Sequence, residues 1–130
     1  MIRREAIVAV LRRGDRVLAI RRGAAVSRPG YWQPLSGKIE PGETQEQAVA
    51  REVMEEVGLT VSPGAKVWES ETDDGTFVLH WWTADASDGE VVPDPVEVAE
   101  TRWVTPQEFL ALDPVFEGDR EFFEQILPGL

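Results

Sequence analysis

Two apolar runs, Ala6–Leu11 and Arg16–Ile20, flank Arg12-Arg13-Gly14-Asp15, a pattern that predicts a β-hairpin. Residues 23–34 carry Gly, Ser and Pro and read as a loop, and Pro41-Gly42 marks a turn. Thr44-x-x-Gln47 then opens the clearest helix, over about residues 44–57. The threonine hydroxyl can accept from an orphan backbone N–H, and Gln47 can reach back to the cap. Gly58 follows the last periodic residue, as at a helix C-terminus. Further on, Lys66–Thr72 and Thr76–Ala84 flank Asp73-Asp74-Gly75, a second hairpin signal. Residues 85–100 read as a long loop and Thr101–Val104 as a short strand. Thr105-Pro106-Gln107-Glu108 is another capping box, and a last helix is predicted from about Gly118 to Leu127. Strands mixed with two or three helices predict α/β or α+β layers.

Composition narrows the class. The length of 130 residues suits one domain, residues 1–130, and the apolar fraction of 42% is that of a globular chain. The chain has no cysteine, which excludes disulfides and thiolate metal sites. Met1–Glu5 shows no apolar segment with a cleavage site, and no apolar run reaches the ~20 residues of a membrane span. The expectation is a cytoplasmic protein with no membrane partner, monomer or homodimer. The net charge of −11 supplies little to neutralise a polyphosphate backbone, so no long nucleic acid is expected as a partner. A small phosphorylated substrate remains compatible, because a bound cation inverts the local sign.

The first helix carries the candidate chemistry. At 100° per residue, Val49, Val53, Val57, Ala50 and Met54 fall on one stripe suited to a core. Glu52, Glu55 and Glu56 fall within an arc of about 100° on another side, with Ala48 leaving space beside them. Like pairs three or four residues apart cost about 0.2–0.5 kcal/mol each, and the helix dipole disfavours acids in the last turns. A hard cation reverses that penalty. Arg51 offsets part of the repulsion and can orient a carboxylate through a bidentate contact. A solvated glutamate-rich face is the alternative reading of the helix alone.

The surrounding spacing separates the two readings. Gly37-x5-Glu43-x7-Arg51-Glu52-Val53-x-Glu55-Glu56-x-Gly58-Leu59 places seven specific and two apolar residues in one frame. Its chance probability is on the order of 10⁻⁹ per start site at average residue frequencies. It resembles the Nudix box at every fixed position. Arg21-Arg22-Gly23-Ala24-Ala25 and Arg102-Trp103-Val104 extend the similarity toward the MutT-like branch.

The resemblance implies an α/β fold, the Nudix α/β/α sandwich around a mixed sheet, with the box as a loop–helix–loop. It implies Glu52, Glu55 and Glu56 as ligands for Mg²⁺ or Mn²⁺, with the Gly37 carbonyl as a further ligand. Glu43 and Arg51 become a brace between loop and helix. A later-loop carboxylate completes the set; Glu97 and Glu100 are the candidates, and Glu97 is chosen. Glu52 and Glu97 are the candidate catalytic bases. The implied activity is metal-dependent hydrolysis of a phosphoanhydride in a small nucleotide-type substrate, foremost a nucleoside triphosphate, oxidised or not. Dinucleoside polyphosphates, nucleotide sugars and pterin triphosphates are alternatives, as is a catalytically silent nucleotide sensor.

Around this centre, Trp32 could stack on a base, Lys38 could meet a phosphate as a point charge, and Arg22 could contact phosphate or base. Tyr31, next to Trp32, offers a second ring. Each is equally readable as an ordinary packed or solvated residue. His80 is read as a packed strand residue, and Trp68 and Trp103 as core. Ser36 stands where many MutT-like proteins have a second glycine, and a positive φ there would be costly.

Overall fold

The computed structural model describes residues 4–86 and 88–130. Seven strands form one mixed sheet: β1 (Arg4–Arg13), β2 (Arg16–Arg22), β3 (Trp32–Gln33), β4 (Leu35–Lys38), β5 (Ser62–Glu71), β6 (Phe77–Asp85) and β7 (Val98–Val104). The helices are α1 (Gln45–Val57), α2 (Pro106–Leu110) and α3 (Glu117–Glu121).

β1 is the spine. One edge runs parallel to β6 from Arg4↔Phe77 to Arg12↔Asp85. Its other edge is shared. Near the turn, Arg12 and Arg13 pair with Val17 and Arg16; farther back, Ala6–Ala9 pair with β4. The expected first hairpin is therefore short. β2 separates from β1 and pairs with β3 and β7 instead. The loop predicted over 23–34 ends early because Trp32 and Gln33 join β2, and Gly37 lies in a strand rather than in the turn that follows. β5 and β6 form the second hairpin as expected.

Alternation along the strands divides the interior into two layers. Ile7, Ala9, Leu11, Leu18, Ile20 and Leu35 pack beneath Ala48, Val49, Val53 and Val57 of α1. Val8, Val10, Val17, Ala19 and Trp81 face Phe109, Phe122, Phe123 and Leu127 on the opposite side. Helices thus cover both faces, and the α/β/α sandwich is the observed architecture. β6 feeds both layers, with Trp81 in one and Trp82 against the other.

Several local expectations are corrected. The buried stripe of α1 is rotated from the predicted one. Ala48 and Glu56 are buried, Ala50 is half-buried and Met54 is exposed. The rotation follows from which side meets β1 and β4. Trp68 and Trp103 are half-buried at the margins of the two layers, the latter under the Arg13 guanidinium at 4.4 Å. The C-terminal helix is broken. α3 passes into a π-helical turn over Phe122–Ile126. That turn lets consecutive phenylalanines both face inward. Phe122 stacks on Trp81 at 4.4 Å and Phe123 on Phe109 at 3.9 Å. Ser36 has no positive φ; it sits in β4, and its hydroxyl accepts from Gln33.

Candidate active site

The site is built where α1 crosses the end of β4. Both cap hydrogen bonds of α1 are made: the Thr44 hydroxyl accepts from the Gln47 amide at 3.1 Å, and Gln47 Oε1 from the Thr44 amide at 2.9 Å. At the other end Gly58 adopts φ +69° and donates to the Met54 carbonyl. The helix is thus defined at both ends, and its last two turns carry Glu52, Glu55 and Glu56.

Arg51 ties this helix to the preceding loop. Its Nε and Nη2 donate to the two oxygens of Glu43 at 2.6 and 2.9 Å, a bidentate pair. Nη2 also donates to the Lys38 carbonyl at 3.0 Å, and Nη1 to Glu52 at 2.8 Å and Glu55 at 3.2 Å. Hydrogen bonding to Arg51 holds the Glu43 carboxyl below the usual carboxylate range.

The three helix carboxylates occupy different surroundings. Glu55 is exposed, with 58% of its side chain accessible, whereas Glu52 retains 13%. Glu56 is only 5% exposed, and its Oε2 is buried with no hydrogen-bond partner among the described residues. Burial pushes Glu56 up to about 9, the fields of Glu52 and Glu97 push the same way, and Arg22 opposes them. Burial also raises Glu52, against the hydrogen bond and charge of Arg51.

Close backbone approaches complete the arrangement. A Cβ on Gly37 would overlap the Glu52 carboxylate, so only glycine lets β4 lie against that side chain. A Cβ on Gly23 would likewise overlap the Val96 carbonyl, where the Gly23 amide donates to the Glu97 carbonyl at 2.9 Å. These contacts bring the loop after β6 to the end of β2. Glu97 thereby stands among the charges acting on Glu52 and Glu56. Glu100, the other late candidate, is instead engaged by Arg21 at 3.3 Å and Arg102 at 2.7 Å.

The substrate-side residues divide. Arg22 is half-buried beside the carboxylates. It donates to the Ser27 carbonyl and hydroxyl and to Gln33 Oε1, and it feels Glu56, Glu97 and Asp119. Trp32, expected as a stacking ring, is corrected to a core residue. It is 5% exposed within the layer opposite α1. Lys38 is exposed, with its ammonium 5.8 Å from the Phe77 ring, and is not among the strongest influences on Glu52 or Glu56. His80 is buried between Glu5, which its Nε2 meets at 3.0 Å, and Glu69. The 3.2 Å approach of Nδ1 to Glu69 lacks hydrogen-bond geometry. Two buried polar side chains beside Arg22, Gln33 and Asp119, were not legible in the sequence. Gln33 lies in the segment that reads as a loop, and Asp119 in the predicted last helix, where no spacing marks it as buried.

The donor chemistry suits a hard divalent cation. An unpaired buried carboxylate oxygen is costly, and oxygen donors of this kind are the partners Mg²⁺ and Mn²⁺ prefer. Among the described residues no group of three or more His, Cys, Asp or Glu side chains is gathered closely enough to hold a metal ion by itself. Such cations keep several waters and take one or two carboxylates, with substrate phosphates filling other positions.

Comparison with known proteins places the chain in a family. Residues 1–126 match the NUDIX domain family. The chain belongs to the Nudix hydrolase family. Members of that family act on phosphoanhydride, or pyrophosphate, bonds. A protein named NAD-capped RNA hydrolase NudC from Stutzerimonas stutzeri is 35% identical over 97 residues, covering 75% of this chain and 34% of the relative. Another of that name from Deinococcus radiodurans is 33% identical over 128 residues, covering 96% of this chain and 45% of the relative. The chain thus spans less than half the length of these relatives. Among solved structures, the MutT protein from Methanosarcina mazei superposes with a TM-score of 0.82 at 27% identity, covering 97% of this chain and 94% of that one. Among the described residues no helix is long and apolar enough to cross a membrane.

Proposed function

We propose that this Nudix chain hydrolyses a phosphoanhydride bond in a small nucleoside-diphosphate-linked substrate, with a nucleoside triphosphate, oxidised or not, as the leading candidate. The observation that carries the reading is the unpaired, buried Oε2 of Glu56 beside Glu52 and Glu97. The candidate ligands are Glu52, Glu55, Glu56 and Glu97 with the Gly37 carbonyl, from which a Mg²⁺ or Mn²⁺ ion would draw one or two carboxylates, with water and substrate phosphates completing its shell.

When bound, that cation would neutralise phosphate oxygens and lower the pKa of a coordinated water. Glu52 and Glu97 are the candidates to accept the water's proton. Glu52 combines partial burial, a raised proton affinity and an orienting Arg51 contact, properties that suit a general base. Arg51 and Glu43 hold the helix to the loop. Among the described residues Arg22 donates three of its five N–H groups, to Ser27 and Gln33, which leaves two for a phosphate or base, and Asp119 adds a nearby acidic group. Lys38 stands outside this group and contributes through its carbonyl to Arg51.

A second reading, cleavage of a dinucleotide of the NAD type, is favoured by the NudC-named relatives. The net charge of −11 disfavours grip on a long RNA body, so this reading takes the free dinucleotide.

The test is a Mg²⁺-supplemented panel of nucleoside triphosphates, NAD, NAD-capped RNA, dinucleoside polyphosphates, nucleotide sugars and pterin triphosphate, with products identified by mass spectrometry. Turnover on at least one is expected. Release of pyrophosphate from a triphosphate supports the first reading, and scission of NAD into two mononucleotides the second. Glu55→Gln and Glu56→Gln should each lower the rate about 10-fold or more. Tight nucleotide binding without any metal-dependent turnover would make the chain a silent sensor.

A further inference from the structure

The loop that carries Glu97 closes on the C-terminal end of α1. The last carbonyls of a helix lack donors from a following turn. Here the Val92 amide donates to the Val57 carbonyl at 2.9 Å, and the Asp94 amide to the Glu56 carbonyl at 2.8 Å. No basic side chain occupies the last turn of α1 to take that role.

Asp94 then turns the chain. Its Oδ1 accepts from the Val96 amide at 2.9 Å, and its carbonyl accepts from the Val98 amide at 2.9 Å. Pro95 fixes φ inside this turn. On the far side the Gly23 amide holds the Glu97 carbonyl. Glu97 therefore sits between a turn organised by Asp94 and an anchor at the end of β2. The same Asp94 is one backbone hydrogen bond from Glu56.

We propose that Asp94 is a positioning residue: its side-chain oxygen locks the turn that fixes Glu97 relative to Glu56. The inference rests on the reading of Glu97 as a cation ligand. Asp94 acts as a hydrogen-bond acceptor in the turn, not through its charge. Asparagine offers the same acceptor without the charge, so it separates the two roles.

The probe is Mn²⁺ alone, titrated into the full chain and followed by electron paramagnetic resonance of the free ion. Asp94→Ala should weaken Mn²⁺ binding about 10-fold, the size typical of losing an outer-shell support. Asp94→Asn should stay within about two-fold of the unsubstituted chain, and Asp94→Ser, a weaker acceptor in the same turn, should fall between. The Asn and Ser variants keep the series readable if the alanine variant does not fold. Glu97→Gln should weaken binding, and adding Asp94→Ala to it should weaken binding no further. An Asp94→Asn variant as weak as Asp94→Ala overturns the proposal, because charge would then be the cause. Full additivity of Asp94→Ala with an impaired Glu97→Gln also overturns it, while leaving the reading of Glu97 intact. A Glu97→Gln chain with unchanged Mn²⁺ affinity overturns both.

Discussion

Gly37 and Asp119 illustrate how single residues set this site. Gly37 has no positive φ, so its requirement is spatial: any side chain would displace the Glu52 carboxylate. Gly37→Ala is expected to lower turnover by about 100-fold with the circular dichroism spectrum retained, since a misplacement near 1 Å costs on that order. Unchanged turnover would mean that the Glu52 carboxylate is free to move. Asp119 lies 7% exposed in α3, and burial raises its carboxyl from an ordinary 3.8 to about 7, with Arg22 opposing. The folded chain therefore holds this proton more tightly than the unfolded chain. Its contribution to stability falls as pH rises from about 4 toward 7 and is level above that. The difference corresponds to at most about 1.4 kcal/mol per pH unit across the window. Asp119→Asn should accordingly be more stable than the unsubstituted chain at pH 8, with the gain shrinking toward pH 4. A thermal-melt difference that stayed constant with pH would contradict the assignment.

At the scale of elements, α1 is the part most fully specified by local signals. Thr44, Gln47 and Gly58 define its ends, and the cap hydrogen bonds form as the spacing predicts. Thr44→Ala should cost about 1 kcal/mol. That cost should appear as a lower urea midpoint at constant m-value, with turnover per folded molecule little changed. A large loss of turnover at full folding would instead tie the cap to the chemistry. The C-terminal segment behaves differently. The sequence predicts one continuous helix, but Phe122 and Phe123 must reach Trp81 and Phe109 from adjacent positions, and the helix widens to let them. The short strand β3 falls in the segment that reads as a loop, and β4 has no sequence signal, because two to four residues carry no periodicity of their own. They exist through pairing with β2 and β1.

For the whole molecule, the excess of 24 acidic over 13 basic residues makes the folded state self-repelling. Screening shortens that repulsion to roughly 10 Å at 0.1 M salt. The melting temperature in EDTA should therefore rise by a few degrees, about 2–5 °C, between 20 and 500 mM NaCl. A fall would mean that ion pairs such as the Arg51 cluster outweigh the repulsion. The sandwich gives those acids different tasks. Most face solvent, whereas Glu52 and Glu56 are drawn toward the layer between α1 and the sheet, where a cation partner suits them.

The spacing from Gly37 to Leu59 determined by itself the family, the helix and its caps, and the residues carrying the candidate chemistry, because all of these are expressed within a few turns of chain. The Glu43–Arg51 brace also belongs to that local frame. Tertiary structure alone decided the depth of each glutamate. The helical wheel placed Ala50 and Met54 inward and Glu56 outward, but packing against β1 and β4 rotated the stripe. It likewise decided the approach of Glu97 through Gly23, the engagement of Glu100 by Arg21 and Arg102, the burial of Trp32 and the gathering of Gln33 and Asp119 around Arg22. Each of these depends on contacts between segments far apart in sequence, and no local period or spacing encodes such contacts.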